Sequence, residues 1–175
     1  MSKVADIKEG IANGFLAKHY GSFDSIGILL DKPNNNQAYF YSSYKSPLFL
    51  NKHPYLEISL YFIEMSRPKF FPMLPMFQMS ELKDFNGHYI ATSYRTALSL
   101  LNIRPENKYF YVYNLLELFH IPQDAIKHIK ESGIKIFTRN DDYAKILENH
   151  FSLTIESIRV PDFNLDRILN IAGIR

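Results

Sequence analysis

The residues best suited to chemistry in this sequence stand where strand-like runs give way to helix-like ones. Ser93-Tyr94-Arg95-Thr96 follows the run His88-Tyr-Ile-Ala-Thr-Ser93 and opens a helical stretch. A helix N-terminus presents free backbone N–H donors and Arg95 adds a fixed cation, so an anion could bind there. Ser93 or Thr92 equally suits plain capping of that helix. Arg139, with Asp141 and Asp142 after it, forms a second junction. It reads either as a contact for a polar ligand or as a strand end joined to a helix cap. Asn114 ends an aromatic strand, and Glu117 beyond it could act as a general base toward a sugar hydroxyl if buried. Asp31 could serve similarly from the end of the first strand, and Glu64 falls at the end of another. One rule selects the whole set: ligands of open parallel sheets sit beyond the carboxyl ends of the strands.

Other chemistries find no support. The histidines His19, His53, His88, His120, His128 and His150 include no HisXXXHis pair beside an acid, so no metal site is expected. Cysteine is absent, which removes disulfides, thiolate ligands and thiol nucleophiles. There is no nucleophile elbow, no Walker loop and no glycine-rich dinucleotide fingerprint, and no tightly bound cofactor is expected.

Parallel crossover units must position such residues. Between Asn86 and Phe151 the chain reads strand, helix, strand, helix, strand, helix, which predicts a mostly parallel sheet covered on both faces. The strands are predicted over Ser25–Asp31, Tyr55–Ile63, His88–Ser93, Lys108–Tyr113, Ile134–Thr138 and Leu153–Val160. Helices are predicted over Tyr94–Asn102, Gln123–Ser132 and Leu165–Ile171, and after an Asn140 or Asp141 cap, where Tyr143, Ile146, Leu147, His150 and Phe151 mark the inner face. Leu115–Phe119 and Ser80–Phe85 read as helical turns. Val4, Ile7, Ile11 and Phe15 fall at helical spacing near the N-terminus. Lys32-Pro-Asn-Asn-Asn-Gln37 reads as a turn, after which Ala38–Ser43 reads as a strand returning antiparallel in a hairpin. Tyr44–Pro54 and the proline- and methionine-rich stretch Met65–Met79 read as irregular connections.

Composition sets the frame. At 175 residues, 46% hydrophobic and 22% charged, the chain reads as one globular domain spanning 1–175. A net charge of +2 is too small for binding nucleic acid by charge alone. No run approaches the ~18 apolar residues of a membrane span. Lys3, Asp6, Lys8 and Glu9 interrupt any signal-peptide core. A cytoplasmic protein without a membrane partner is the expectation.

Three stretches together carry a family resemblance: Ile90-Ala-Thr-Ser-Tyr-Arg-Thr-Ala97, Lys108-Tyr-Phe-Tyr-Val-Tyr-Asn114 and Ile136-Phe-Thr-Arg-Asn-Asp-Asp-Tyr-Ala-Lys-Ile-Leu-Glu148. They resemble the N-terminal Rossmann-like half of GT-B glycosyltransferases. They are especially similar to bacteriophage members, some of which glycosylate modified bases of their own DNA. Val160-Pro-Asp-Phe163 resembles the segment that closes this half. The likeness covers the second half of the chain, on short motifs. It departs from the family in placing the acid after the aromatic strand late, at Glu117. The resemblance implies a Rossmann-like three-layer sandwich, a nucleotide-sugar donor and a DNA acceptor in a host cytoplasm. For such an enzyme the strand-end residues chosen by the edge rule would supply the site: Glu117 and Asp31 as the expected catalytic carboxylates, with Ser93, Arg95, Thr96, Asn114, Arg139 and Asp141 expected to bind substrate. In that family the donor sits mainly on a second Rossmann domain, and this chain ends where that domain would start. A second subunit or another copy of the chain is then expected to complete the site. The contrasting expectation is a non-catalytic binding or assembly module that keeps the fold and uses the Pro/Met/Phe segment to dock.

Overall fold

The computed structural model describes residues 24–33, 37–68, 73–102 and 107–174. The expected N-terminal helix lies outside them, as do parts of the loops expected at 32–37, 65–79 and 103–107. Six strands form one sheet: β1 (Asp24–Leu30), β2 (Leu56–Phe62), β3 (Met76–Gln78), β4 (His88–Ala91), β5 (Lys108–Val112) and β6 (Lys135–Thr138). Their order across the sheet is β3-β2-β1-β4-β5-β6, and every pairing is parallel. The helices are α1 (Gln37–Leu50), α2 (Tyr94–Leu101), α3 (Leu115–Leu118), α4 (Gln123–Glu131), α5 (Asp141–Phe151) and α6 (Leu165–Ala172). Short 3₁₀ turns span Met79–Asp84 and Pro161–Phe163.

The strands other than the edge strand β3 are buried on both faces, as parallel sheets require. Ile26, Ile28 and Leu30 of β1 pack with Tyr39 and Phe49 of α1 and with Leu165, Ile168 and Leu169 of α6. Leu29 faces the other way, into a core with Ala97 and Leu100 of α2, Ile126 and Ile129 of α4, and Leu147 and Phe151 of α5. The fold is therefore a three-layer, Rossmann-like α/β sandwich with helices on both faces. Gly87 lets the chain enter β4 close to β1: a Cβ there would stand 2.3 Å from the Ser25 carbonyl oxygen.

The antiparallel hairpin does not form. Ala38–Ser43 is helical and belongs to α1, which runs on through most of the expected linker to Leu50. Its buried positions are Ala38, Tyr39, Ser42, Ser43, Ser46 and Phe49, a helical stripe in which serines take half the places. Close packing of small residues on the sheet overrides the strand preference of Tyr and Phe. Met76–Gln78, expected to be irregular, is an edge strand in register with Leu60–Phe62. The proline that precedes it lends its carbonyl to the ladder, accepting from Leu60 N–H at 2.9 Å.

Leu153–Val160 is not a strand. It touches β6 through a single bridge at Ile136 and Ile155, and rejoins the edge only where Val160 N–H meets the Thr138 carbonyl at 2.9 Å. Between these points Arg159 turns outward to Asp141 at 2.8 Å. In α5 the buried positions are Ala144, Leu147 and Phe151, while Ile146 and His150 are exposed. No helix among the described residues is long and apolar enough to cross a membrane.

Candidate functional site

The strand order reverses between β1 and β4. From β1 the chain crosses to β2 and then β3 on one side, and from β4 it crosses to β5 and then β6 on the other. α1 and α2 accordingly pack on opposite faces of the sheet. Chain segments that part in this way leave a crevice at the carboxyl edge.

Ser93 and Thr96 build the floor of that crevice. Ser93 caps α2: its Oγ accepts from Thr96 N–H at 3.2 Å and donates to Asp31 Oδ1 at 3.0 Å. Thr96 is fully buried, and its Oγ1 accepts from the Thr92 and Ser93 N–H groups at 3.1 and 3.0 Å. Thr92 Oγ1 donates to the Leu29 carbonyl at 2.8 Å, tying the end of β4 to the end of β1. The local sequence Thr-Ser-Tyr-Arg-Thr therefore does more than start a helix. It cross-links the two strands that flank the crevice.

Above this floor lies a cavity of about 290 Å³ lined by Gln37, Ala38, Thr92, Ser93, Tyr113, Asn114, Glu117, Arg139 and Tyr143. Asn114 caps α3, its side-chain oxygen accepting from Leu116 N–H at 3.2 Å, and that short helix presents Glu117. Glu117 Oε1 accepts from Tyr94 N–H at 3.3 Å. Burial, reinforced by the negative charge of Asp31, pushes the Glu117 carboxyl up to about 7, against the opposing pull of the Tyr94 N–H and Arg95. A carboxyl poised near neutrality can both take and return a proton.

The opposite end of the cavity is cationic. Arg139 Nη2 donates to Asp162 Oδ1 at 2.7 Å, and the guanidinium lies 4.6 Å from the centre of the Tyr113 ring. Burial pushes the Tyr113 hydroxyl up to about 12, partly countered by Arg139, so it keeps its proton. Asp162 and Phe163 adopt positive φ, at 45° and 54°, in a tight turn that aims the Asp162 carboxylate at Arg139. Phe163 is fully buried beside Tyr111 and Tyr113, and that packing holds the turn in place.

Of the residues expected at a site, Ser93, Asn114, Glu117 and Arg139 share the cavity wall. Asp31 stands behind them, reaching the wall through Ser93, and Thr96 supports them from beneath. Arg95 and Asp141 are not on the wall. Arg95 forms an exposed pair with Glu64 at 3.1 Å, and Asp141 pairs with Arg159. Tyr113 and the first turn of α1 are wall residues not selected from the sequence, while Thr92 reads there only as a cap and Tyr143 only as an inner-face residue. Tyr113 had a signal, since it directly follows β5, but an aromatic after an aromatic run reads as core. Gln37 and Ala38 had none, because their helix was read as a turn and a strand. Among the described residues no three His, Asp or Glu side chains converge as a metal site.

Comparison of the chain with protein-family models, with curated proteins and with solved structures found no match in any of the three.

Proposed function

We propose that the chain is the acceptor-side half of a sugar-transferring enzyme. Its carboxyl-edge cavity holds a hydroxyl-bearing acceptor, a modified DNA base being the one the family resemblance points to. A nucleotide-sugar is bound by a second subunit or domain. The acceptor oxygen bonds to the anomeric carbon as the bond from that carbon to the leaving phosphate breaks, and the hydroxyl proton passes to Glu117. The observation that carries this reading is Glu117 itself: a carboxyl on a cavity wall, raised to about 7 by burial and by Asp31, at the switch point of a parallel sheet. Ser93 holds Asp31 in place, and Asp31 keeps Glu117 basic enough to accept a proton.

The test is transfer of labelled sugar from nucleotide-sugars to hydroxymethylated DNA, with the chain alone and mixed with candidate donor-binding partners. Transfer that collapses in Glu117→Gln supports the reading. Absence of both transfer and donor hydrolysis in every combination sinks it.

A second reading, a non-catalytic assembly module, draws on exposed apolar residues away from the cavity. Met73 is 88% exposed, and Tyr44 and Leu48 on the outer side of α1 are 61% and 57% exposed. In that case Leu48→Ser and Met73→Ser abolish partner capture, while Glu117→Gln leaves it intact.

A further inference from the structure

We propose that the molecule received by this cavity carries a phosphate group, seated at the Arg139 end while its hydroxyl meets Glu117. The inference rests on the reading of the cavity as an acceptor site, and it adds a chemical feature to that acceptor: a phosphate ester on a hydroxyl-bearing compound, a nucleotide unit or a sugar phosphate.

Three features of the cavity wall support it. The first turn of α1 contributes Gln37 and Ala38 to the wall, and this 14-residue helix has no acidic residue in its first turn to satisfy its positive end. Arg139 commits Nη2 to Asp162, while its Nε and Nη1 bond to no partner among the described residues. A planar guanidinium with donors to spare matches the oxygens of a phosphate. Tyr113 is 4% exposed, and its hydroxyl is shut off from solvent with no hydrogen-bond partner among the described residues.

A buried hydroxyl without an acceptor is uncommon in folded proteins. Here the Arg139 guanidinium lies over the same ring. A phosphate oxygen beside the guanidinium would accept from Arg139 and supply the acceptor that the Tyr113 hydroxyl lacks. The far end of the cavity sets the orientation. Glu117, with Asp31 behind Ser93, repels an anion there, so the phosphate is driven to Arg139 and the neutral hydroxyl to Glu117. Asp162 offsets the net charge of Arg139, so directional donors rather than bulk charge hold the phosphate.

Calorimetric titration of the full chain tests this with matched probes: glucose 6-phosphate against glucose, thymidine 5′-monophosphate against thymidine, and inorganic phosphate alone. The phosphorylated member of at least one pair is expected to bind about tenfold more tightly. Tyr113→Phe, whose retained fold is checked by thermal melting, is expected to remove most of that preference and leave the unphosphorylated partner unaffected. The pair that shows the preference identifies the source, sugar phosphate or nucleotide. Equal affinities within both pairs, or a preference that survives in Tyr113→Phe, overturn the proposal. Glu117→Gln separates it from the transfer reading. That variant keeps the phosphate preference if the inference holds. Glu117-dependent transfer without any phosphate preference overturns this inference alone, and phosphate preference without transfer upholds it while the transfer reading falls.

Discussion

The two ends of the crevice balance charge in opposite ways. At the Arg139 end the arginines are paired: Arg139 meets Asp162 at 2.7 Å, and Arg159 meets Asp141 at 2.8 Å. At the other end Ser93 holds Asp31, whose charge acts on Glu117, and Arg95, the cation that acts on Glu117, is engaged by Glu64. Paired charges serve to hold things in place. Burial, with the like charge of Asp31 beside it, is what brings Glu117 to about 7. On the proposed reading the contrast divides the labour of the site: one end orients, the other exchanges protons.

The strongest way to break that division is Glu117→Gln. If proton transfer resides at the acidic end, sugar transfer falls by about a hundredfold or more. The wild-type rate then rises with pH through about 7, as the carboxylate forms, and levels off above it. The same variant has a stability signature. The folded carboxyl titrates near 7 and an unfolded one near 4.5, so between these values the folded state holds a proton that the unfolded state has released. Wild-type stability therefore declines as pH rises through this window. Urea denaturation of Glu117→Gln should show the decline removed, and the variant more stable than wild type above pH 7. An unchanged slope would mean that Glu117 is not the strained group.

Thr96→Ala attacks the scaffold of the same end. Thr96 Oγ1 receives two buried N–H groups and meets Ser93 Oγ, which in turn holds Asp31. Losing it leaves those donors unpaired, at a cost of about 2 kcal/mol in chemical denaturation. With Asp31 released from Ser93, the midpoint of the pH–rate profile moves down. Thr96→Ser keeps the hydroxyl and should restore both properties. A stability loss with an unmoved midpoint would show that Asp31 does not tune Glu117.

How far the sequence foretold this arrangement depended on which residues carried the signal. The crossover units from β4 to α5 were legible because their apolar runs, Asn and Ser caps and Gly133 obey local rules. α1 was not legible, because half of its buried stripe is serine and its exposed positions include Phe40, Tyr44 and Leu48, so the hydrophobic period is inverted. Leu153–Val160 alternates as a strand should but lies on the sheet edge, where Arg159 and Asp141 draw it away. At the site, the edge rule found Ser93, Asn114, Glu117 and Arg139 but could not tell Arg139 from Arg95. Arg95 sits inside the first turn of α2, pointed past the crevice toward Glu64, whereas Arg139 directly follows β6 and lies along the edge over Tyr113. A shift of position relative to the strand end decides which cation faces the cavity. One-dimensional spacing does not record it.

The two arginines also provide the finest measure of the contrast. A double-mutant cycle across Arg139 and Asp162, whose side chains are 28% and 37% exposed, should yield a coupling of about 1 kcal/mol. The matching cycle across Arg95 and Glu64, at 45% and 52% exposed, should yield no more than about 0.5 kcal/mol, lost in high salt. Arg95→Ala should leave phosphate binding and transfer near wild type, because its side chain is not on the cavity wall. Arg139→Ala should weaken phosphate binding as well as stability, since it removes the guanidinium from both Tyr113 and Asp162. Equal couplings in the two cycles would mean that the cavity lends Arg139 no more shielding from water than the open surface lends Arg95. A loss of transfer in Arg95→Ala would move the cationic end of the site to the other side of Ser93, nearer Glu64, and reverse the assignment of roles along the crevice.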